Sequence, residues 1–101
     1  MITRIWHGRI KTADAKEYRE FVIKTGVADY KSVKGNCGVQ IWQREEGDET
    51  HIYTVSWWNN YESIKQFAGE DFEKAKYYEE DKKYLLEFEE KVRHFECYEF
   101  V

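Results

Sequence analysis

A chain of 101 residues can bury one hydrophobic core and is too short for two. Its formal charge of −4 leaves no basic face for nucleic acid, and no run approaches the roughly 20 apolar residues that cross a bilayer. Aromatic residues are 18% of the chain, with four Trp, eight Tyr and six Phe, more than one small core consumes. Some of them should line a cavity or an interface between copies.

Residues 1–101 read as one domain, without proline, a Gly/Ser linker or an internal repeat. Residues 2–10 alternate as a strand, with Ile2, Trp6 and Ile10 on one face and Thr3, Ile5, His7 and Arg9 on the other. Gly8 in that strand suggests a bulge or the close approach of a helix. Asp14 and Glu17 form a D-x-x-E capping box that opens a helix through about Lys24, with Tyr18, Phe21 and Val22 as its stripe. Gly26 should break or bend it, and a shorter helical piece carries Val27 and Tyr30. Residues 34–38 are loop chemistry.

Residues 38–45 and 50–58 then form two strands joined by a hairpin turn at 46–49, around Gly47-Asp48. Asn59 and Glu62 give a second capping box, opening a helix with Ile64, Phe67 and Ala68 inward. Gly69 interrupts it. Phe72, Ala75 and Tyr78 are spaced for a further helix over about 71–79. Residues 79–90 make an acidic, solvated connection anchored by Leu85 and Leu86, and residues 91–100 make the last strand.

The order β-α-β-β-α-β is the split βαβ, or ferredoxin-like, unit: an α+β fold with four antiparallel strands and helices on one face. The other face does not read as solvated. Trp42 alternates with Val39 and Ile41, and Tyr53, Val55 and Trp57 alternate with Ile52, Thr54 and Trp58, so both faces carry large apolar groups. No other element is left to cover the second face. A second copy is the simplest cover, which predicts a homodimeric α+β barrel.

His7 is the first candidate for chemistry. It lies on the face away from Trp6, pointing into the expected barrel, and should neighbour His94 across the first and last strands. A neutral imidazole there suits a proton acceptor, against the plain alternative of a buried histidine whose two nitrogens are simply hydrogen-bonded. His7, His51 and His94 show no metal-ligand spacing, and no H-E-x-x-H or Cys-His cluster is present, so no metal is expected. Cys37 and Cys97 stand sixty residues apart without a CxxC pair, and the N-terminus has no signal-peptide pattern. Both features point to a reducing cytoplasm and free thiols. Phosphate-loop, nucleophile-elbow and dinucleotide motifs are absent from the sequence.

The runs RIWHG at 4–8, WW at 57–58, FAGED at 67–71 and HFE at 94–96 resemble the antibiotic biosynthesis monooxygenase family, in particular its small stand-alone members. The resemblance spans essentially the whole chain and implies a dimeric α+β barrel. It further implies cofactor-independent oxygenation of a small aromatic or polycyclic phenol or enol. His7 would then be base or anion stabiliser, and Tyr77 and Arg9 hydrogen-bond donors. In the family the zone after the third strand borders the cavity, which makes Trp57, Trp58, Phe67 and Tyr78, with Tyr77 and His94, candidates for lining it. The heme-degrading branch uses an asparagine, a tryptophan and a histidine whose positions fall at His7, near Phe67 and near Tyr77, so its residues are not present. A non-catalytic small-molecule-binding or stress-related module on the same fold is the alternative.

Overall fold

The computed structural model describes residues 1–101. The elements are β1 (Ile2–Lys11), α1 (Ala15–Val22), α2 (Ala28–Ser32), β2 (Asn36–Glu46), β3 (Glu49–Trp58), α3 (Tyr61–Ala68) and β4 (Arg93–Glu96). They form one four-stranded sheet in the order β2-β3-β1-β4, every neighbouring pair antiparallel. This is the interleaved arrangement expected of a split βαβ chain. No helix is long and apolar enough to cross a membrane.

The alternation in β1 decides where the core sits. Ile2, Trp6 and Ile10 are buried, and β3 adds Ile52 and Trp58 through the pairs Gly8↔Ile52 and Ile2↔Trp58. Tyr18 and Val22 of α1, Tyr30 of α2 and Ile64 of α3 close over this face in two clusters. We call it the inner face. The outer face carries Ile5, His7 and Arg9 of β1, Tyr53 and Trp57 of β3, Trp42 of β2 and Phe95 of β4. Trp42 and Phe95 are about half exposed there.

Several local expectations need correcting. Asp14 does not cap α1; a 3-10 turn over Thr12–Asp14 leads into it. Gly26 does not break the helix. The backbone widens into a π-helical turn over Ile23–Val27 and continues as α2. The cap of α3 is Asn60, one residue beyond Asn59, and its side chain accepts from the Ser63 amide at 2.9 Å. Asn59 is held elsewhere, its amide bonded to the Gly35 carbonyl.

There is no helix over 71–79. Gly69, at φ 85°, ends α3, and the chain then pairs with residues 90–92 through Ala75 N–H to Glu90 O and Val92 N–H to Glu73 O, both 2.8 Å. Those non-local bonds satisfy the backbone that the i, i+3 spacing of Phe72, Ala75 and Tyr78 assigned to a helix. β4 is also shorter than 91–100, because β1 begins at Ile2 and leaves no strand to pair beyond the Cys97 amide, which bonds Met1 O. Residues 79–83 form a 3-10 turn that buries Asp81 within the run expected to be solvated. At Gly8 the ladder is unbroken, and no helix approaches. A Cβ there would stand 2.5 Å from Trp6 Cη2 and 3.0 Å from Leu85 Cδ2, so the missing side chain makes room for the indole.

Candidate functional site

His7 faces outward, as its place in the alternation predicts, but not toward His94. The register pairs Arg4 with His94, which puts that histidine on the inner face. The companion of His7 is His51, one pair along the neighbouring strand, with His7 Nε2 2.8 Å from His51 Nδ1. His7 Nδ1 meets the Glu89 carboxylate, and His51 Nε2 lies 3.2 Å from Glu46, which Arg44 also holds. Arg9 beside them bonds Glu49 and Glu87. His7, His51, Arg9 and Arg44 thus each stand against a glutamate, while Arg93, on the same face, forms no ion pair.

The row Glu89–His7–His51–Glu46 has a proton count of its own. Three contacts need three protons, and two neutral imidazoles carry two. All three bonds close only when the pair shares one imidazolium charge between its flanking carboxylates. Both nitrogens of His7 face a neighbour, Glu89 on one side and His51 on the other. These contacts tie Glu89 to the sheet beside a recess that His7 lines with Tyr53, Arg93 and Phe95.

The other sequence candidates scatter. Trp58 is fully buried core, its indole N–H donating to Ser56 Oγ at 2.9 Å. Trp57 is on the outer face, four residues along β3 from Tyr53. Arg9 is likewise outside. Tyr77 donates to the Glu89 carbonyl at 2.6 Å and receives the Trp6 indole N–H at 3.4 Å, so it fastens the chain crossing the sheet edge. Phe67, Tyr78 and His94 lie on the inner side; of the three Tyr78 lines a cavity there, while Phe67 and His94 stand against Arg4, which also lines it.

Between the inner face and the helices is a chamber of about 40 Å³. Buried Tyr18, Tyr30, Thr54 and Asp81 line it, with Tyr78 and the buried side chain of Arg4. Half-buried Thr25 and Gly26, in the π-helical turn, and exposed Lys76 stand at its outer rim. Most polar groups in it are satisfied. Asp81 accepts the Tyr18 hydroxyl at 2.8 Å and the Tyr78 amide at 2.7 Å. Burial pushes the Asp81 carboxyl up, and those two donors oppose the rise. The Tyr30 and Thr54 hydroxyls bond each other at 3.3 Å. Tyr78 hydroxyl donates to Asp29, and burial together with that carboxylate pushes the phenol up, so it stays a donor.

Arg4 is the exception. It is 1% exposed, and none of the chain's ion pairs includes it. One terminal nitrogen donates to the Phe72 carbonyl and meets His94 Nε2 at 3.1 Å, while Nε has no partner at all. Burial lowers the guanidinium's pKa, with the nearby Tyr30 phenol opposing. Burial and then the Arg4 charge push His94 down to about 4, so at neutral pH its Nε2 is an acceptor for Arg4. The Phe67 ring lies under Arg4 at 5.6 Å and under Lys76 Nζ at 4.5 Å, so Phe67 faces two cations.

No protein-family model matches the chain, and no curated protein matches it either. The reading of the site therefore stands on geometry. A buried charge is costly unless it is paired and hydrogen-bonded. Here Arg4 forms no ion pair, and the one carboxylate of the cavity, Asp81, is bonded to Tyr18 and Tyr78 instead.

Sequence reasoning passed over Arg4, yet the signal was in plain view: a charged residue at an inward position of β1, between Ile2 and Trp6. Asp81 and Glu89 carry no such signal. They sit in an acidic run, and only the tertiary path of residues 77–92 singles them out.

Proposed function

We propose that the chain is a small-molecule-binding α+β domain whose ligand occupies the chamber between sheet and helices. The observation that carries this reading is a cavity with a mixed lining, apolar Trp6, Val22 and Val92 beside the hydroxyls of Tyr18, Tyr30 and Thr54, walled in part by a buried Arg4 whose Nε has no partner. A ring needs a cavity of about 150 Å³, so the chamber at about 40 Å³ takes a polar head group and leaves the rest of a ligand at the rim by Lys76. Two copies stacked outer face to outer face would cover Trp42 and Phe95 and complete the α+β barrel that the resemblance to the antibiotic biosynthesis monooxygenase family implies. The free thiols of Cys37 and Cys97 suit a reducing compartment.

Cofactor-independent oxygenation is the second reading, and the neutral His94 beside Arg4 favours it. In the empty chain the His94 lone pair accepts from Arg4. A ligand oxygen that draws Arg4 to itself releases that lone pair to take the ligand's proton. The resulting enolate or phenolate reduces O₂. One oxygen atom enters as a carbonyl, replacing two hydrogens, and the other leaves with them as water.

The test is to denature the protein as purified from cells and identify what it releases by mass spectrometry, then follow O₂ uptake with the released compound. A stoichiometric ligand without O₂ uptake selects the binding module, and uptake abolished by His94→Gln selects the oxygenase. An empty chain that no small molecule stabilises contradicts both. Sedimentation at twice the chain mass is expected for the stacked pair, and a stable monomer would contradict it.

A further inference from the structure

We propose that the chamber is an oxyanion site: its ligand is a small organic acid whose carboxylate, or an equivalent anionic oxygen pair, binds the Arg4 guanidinium as the counter-charge the chain lacks. This rests on the reading of the chamber as the ligand site and specifies what enters it.

The donor inventory leads there. A guanidinium offers five N–H donors and never deprotonates in proteins. In this chain one terminal nitrogen of Arg4 serves Phe72 O and His94, the Tyr30 hydroxyl is a further polar neighbour of the guanidinium, and Nε is buried without a partner. Nε with a terminal nitrogen is the fork that binds a carboxylate through two parallel bonds. The lone carboxylate in the chamber, Asp81, is taken by the Tyr18 hydroxyl and the Tyr78 amide and forms no ion pair with Arg4. The remaining charge at the rim is Lys76, also a cation. A neutral amide or alcohol would satisfy Nε but leave the charge uncompensated. An anion does both.

Size sets the head group. At about 40 Å³ the chamber exceeds the 10–15 Å³ that one water needs and is far below a ring, which fits a carboxylate and its first carbon. The body of the acid then points past Thr25 and Gly26, where the π-helical turn leaves a side-chain-free position in the wall. Phe67 brings the two cations near one ring, with Arg4 5.6 Å and Lys76 Nζ 4.5 Å from its centroid.

The experiment compares acetate, propionate and benzoate with acetamide, propionamide and benzamide at constant ionic strength, by melting temperature and calorimetric titration, in wild type, Arg4→Met and Arg4→Lys. Wild type should show saturable stabilisation by carboxylates and none by the amides. Arg4→Met should lose roughly tenfold or more in affinity, and Arg4→Lys should recover only part, because a point charge lacks the fork. A second readout locates the site. Burial first and the Arg4 charge second hold the His94 midpoint at about 4; a bound carboxylate offsets the second cause, so binding should move that midpoint upward in a proton NMR titration.

Stabilisation that persists in Arg4→Met, or a His94 midpoint that ignores the carboxylate, overturns the oxyanion site. Amides binding as well as acids, with Arg4→Met indifferent, overturns the anion but keeps the chamber as a ligand site. No response to either series, from a chain that also leaves the cell empty, overturns the chamber reading itself.

Discussion

The two faces of one sheet handle charge in opposite ways. On the outer face His7, His51, Arg9 and Arg44 each stand against a glutamate, in reach of water. On the inner face Arg4 is buried, forms no ion pair and has a nitrogen that bonds nothing. Water makes the first arrangement cheap to build and cheap to lose. Burial makes the second costly, and a costly feature that packing does not require points to a ligand.

Substitutions sharpen the contrast, the largest effect first. Trp6→Ala empties the inner core and should cost about 3–5 kcal/mol in chemical denaturation. Trp42→Ala on the outer face should stay within about 0.5 kcal/mol for the monomer and act on the stacking of copies instead. If the two cost the same, the faces are not distinct in the way described. Gly8→Ala drives a methyl into the Trp6 ring and Leu85 and should cost about 1–3 kcal/mol; a neutral result would mean the indole moves freely.

Protons come next. His94 is depressed to about 4 in the folded chain, against 6.5 for the free side chain. Between those values the unfolded chain binds a proton that the folded chain refuses, so stability is present above about 6.5 and lost as pH falls toward 4. Subtracting the stability profile of His94→Asn from that of wild type isolates this slope from the outer histidines. A flat difference would place His94 in water rather than beside Arg4. The smallest effect belongs to Arg9→Ala, which removes two ion pairs in reach of water; any loss should shrink as salt is added, and one that persists at high salt would mean the pairs are shielded from water.

How much was legible beforehand follows the same division. Alternation in β1 and β3 and the Gly47 turn set the sheet and placed His7 outside, since both signals are local. The helix expected over 71–79 failed because its backbone bonds go to residues 90–92, a pairing no window of sequence contains. Trp58, expected to line a pocket, is core, and His94 lies across the sheet from His7, because the β1–β4 register sets it opposite Arg4. His7 drew attention as a polar group in an aromatic strand, but its partners, Glu89 and His51, come from distant segments and face its two nitrogens. Arg4 sat in the same strand at an inward position and carried the stronger signal.

The most direct measurement is the urea unfolding free energy of Arg4→Met against wild type, both freed of small acids by dialysis. An uncompensated buried charge replaced by an apolar side chain of similar length should stabilise the empty chain, by about 1–4 kcal/mol. Destabilisation of that size would mean that Arg4 is already compensated by the chain itself, and the account of the inner face would fail.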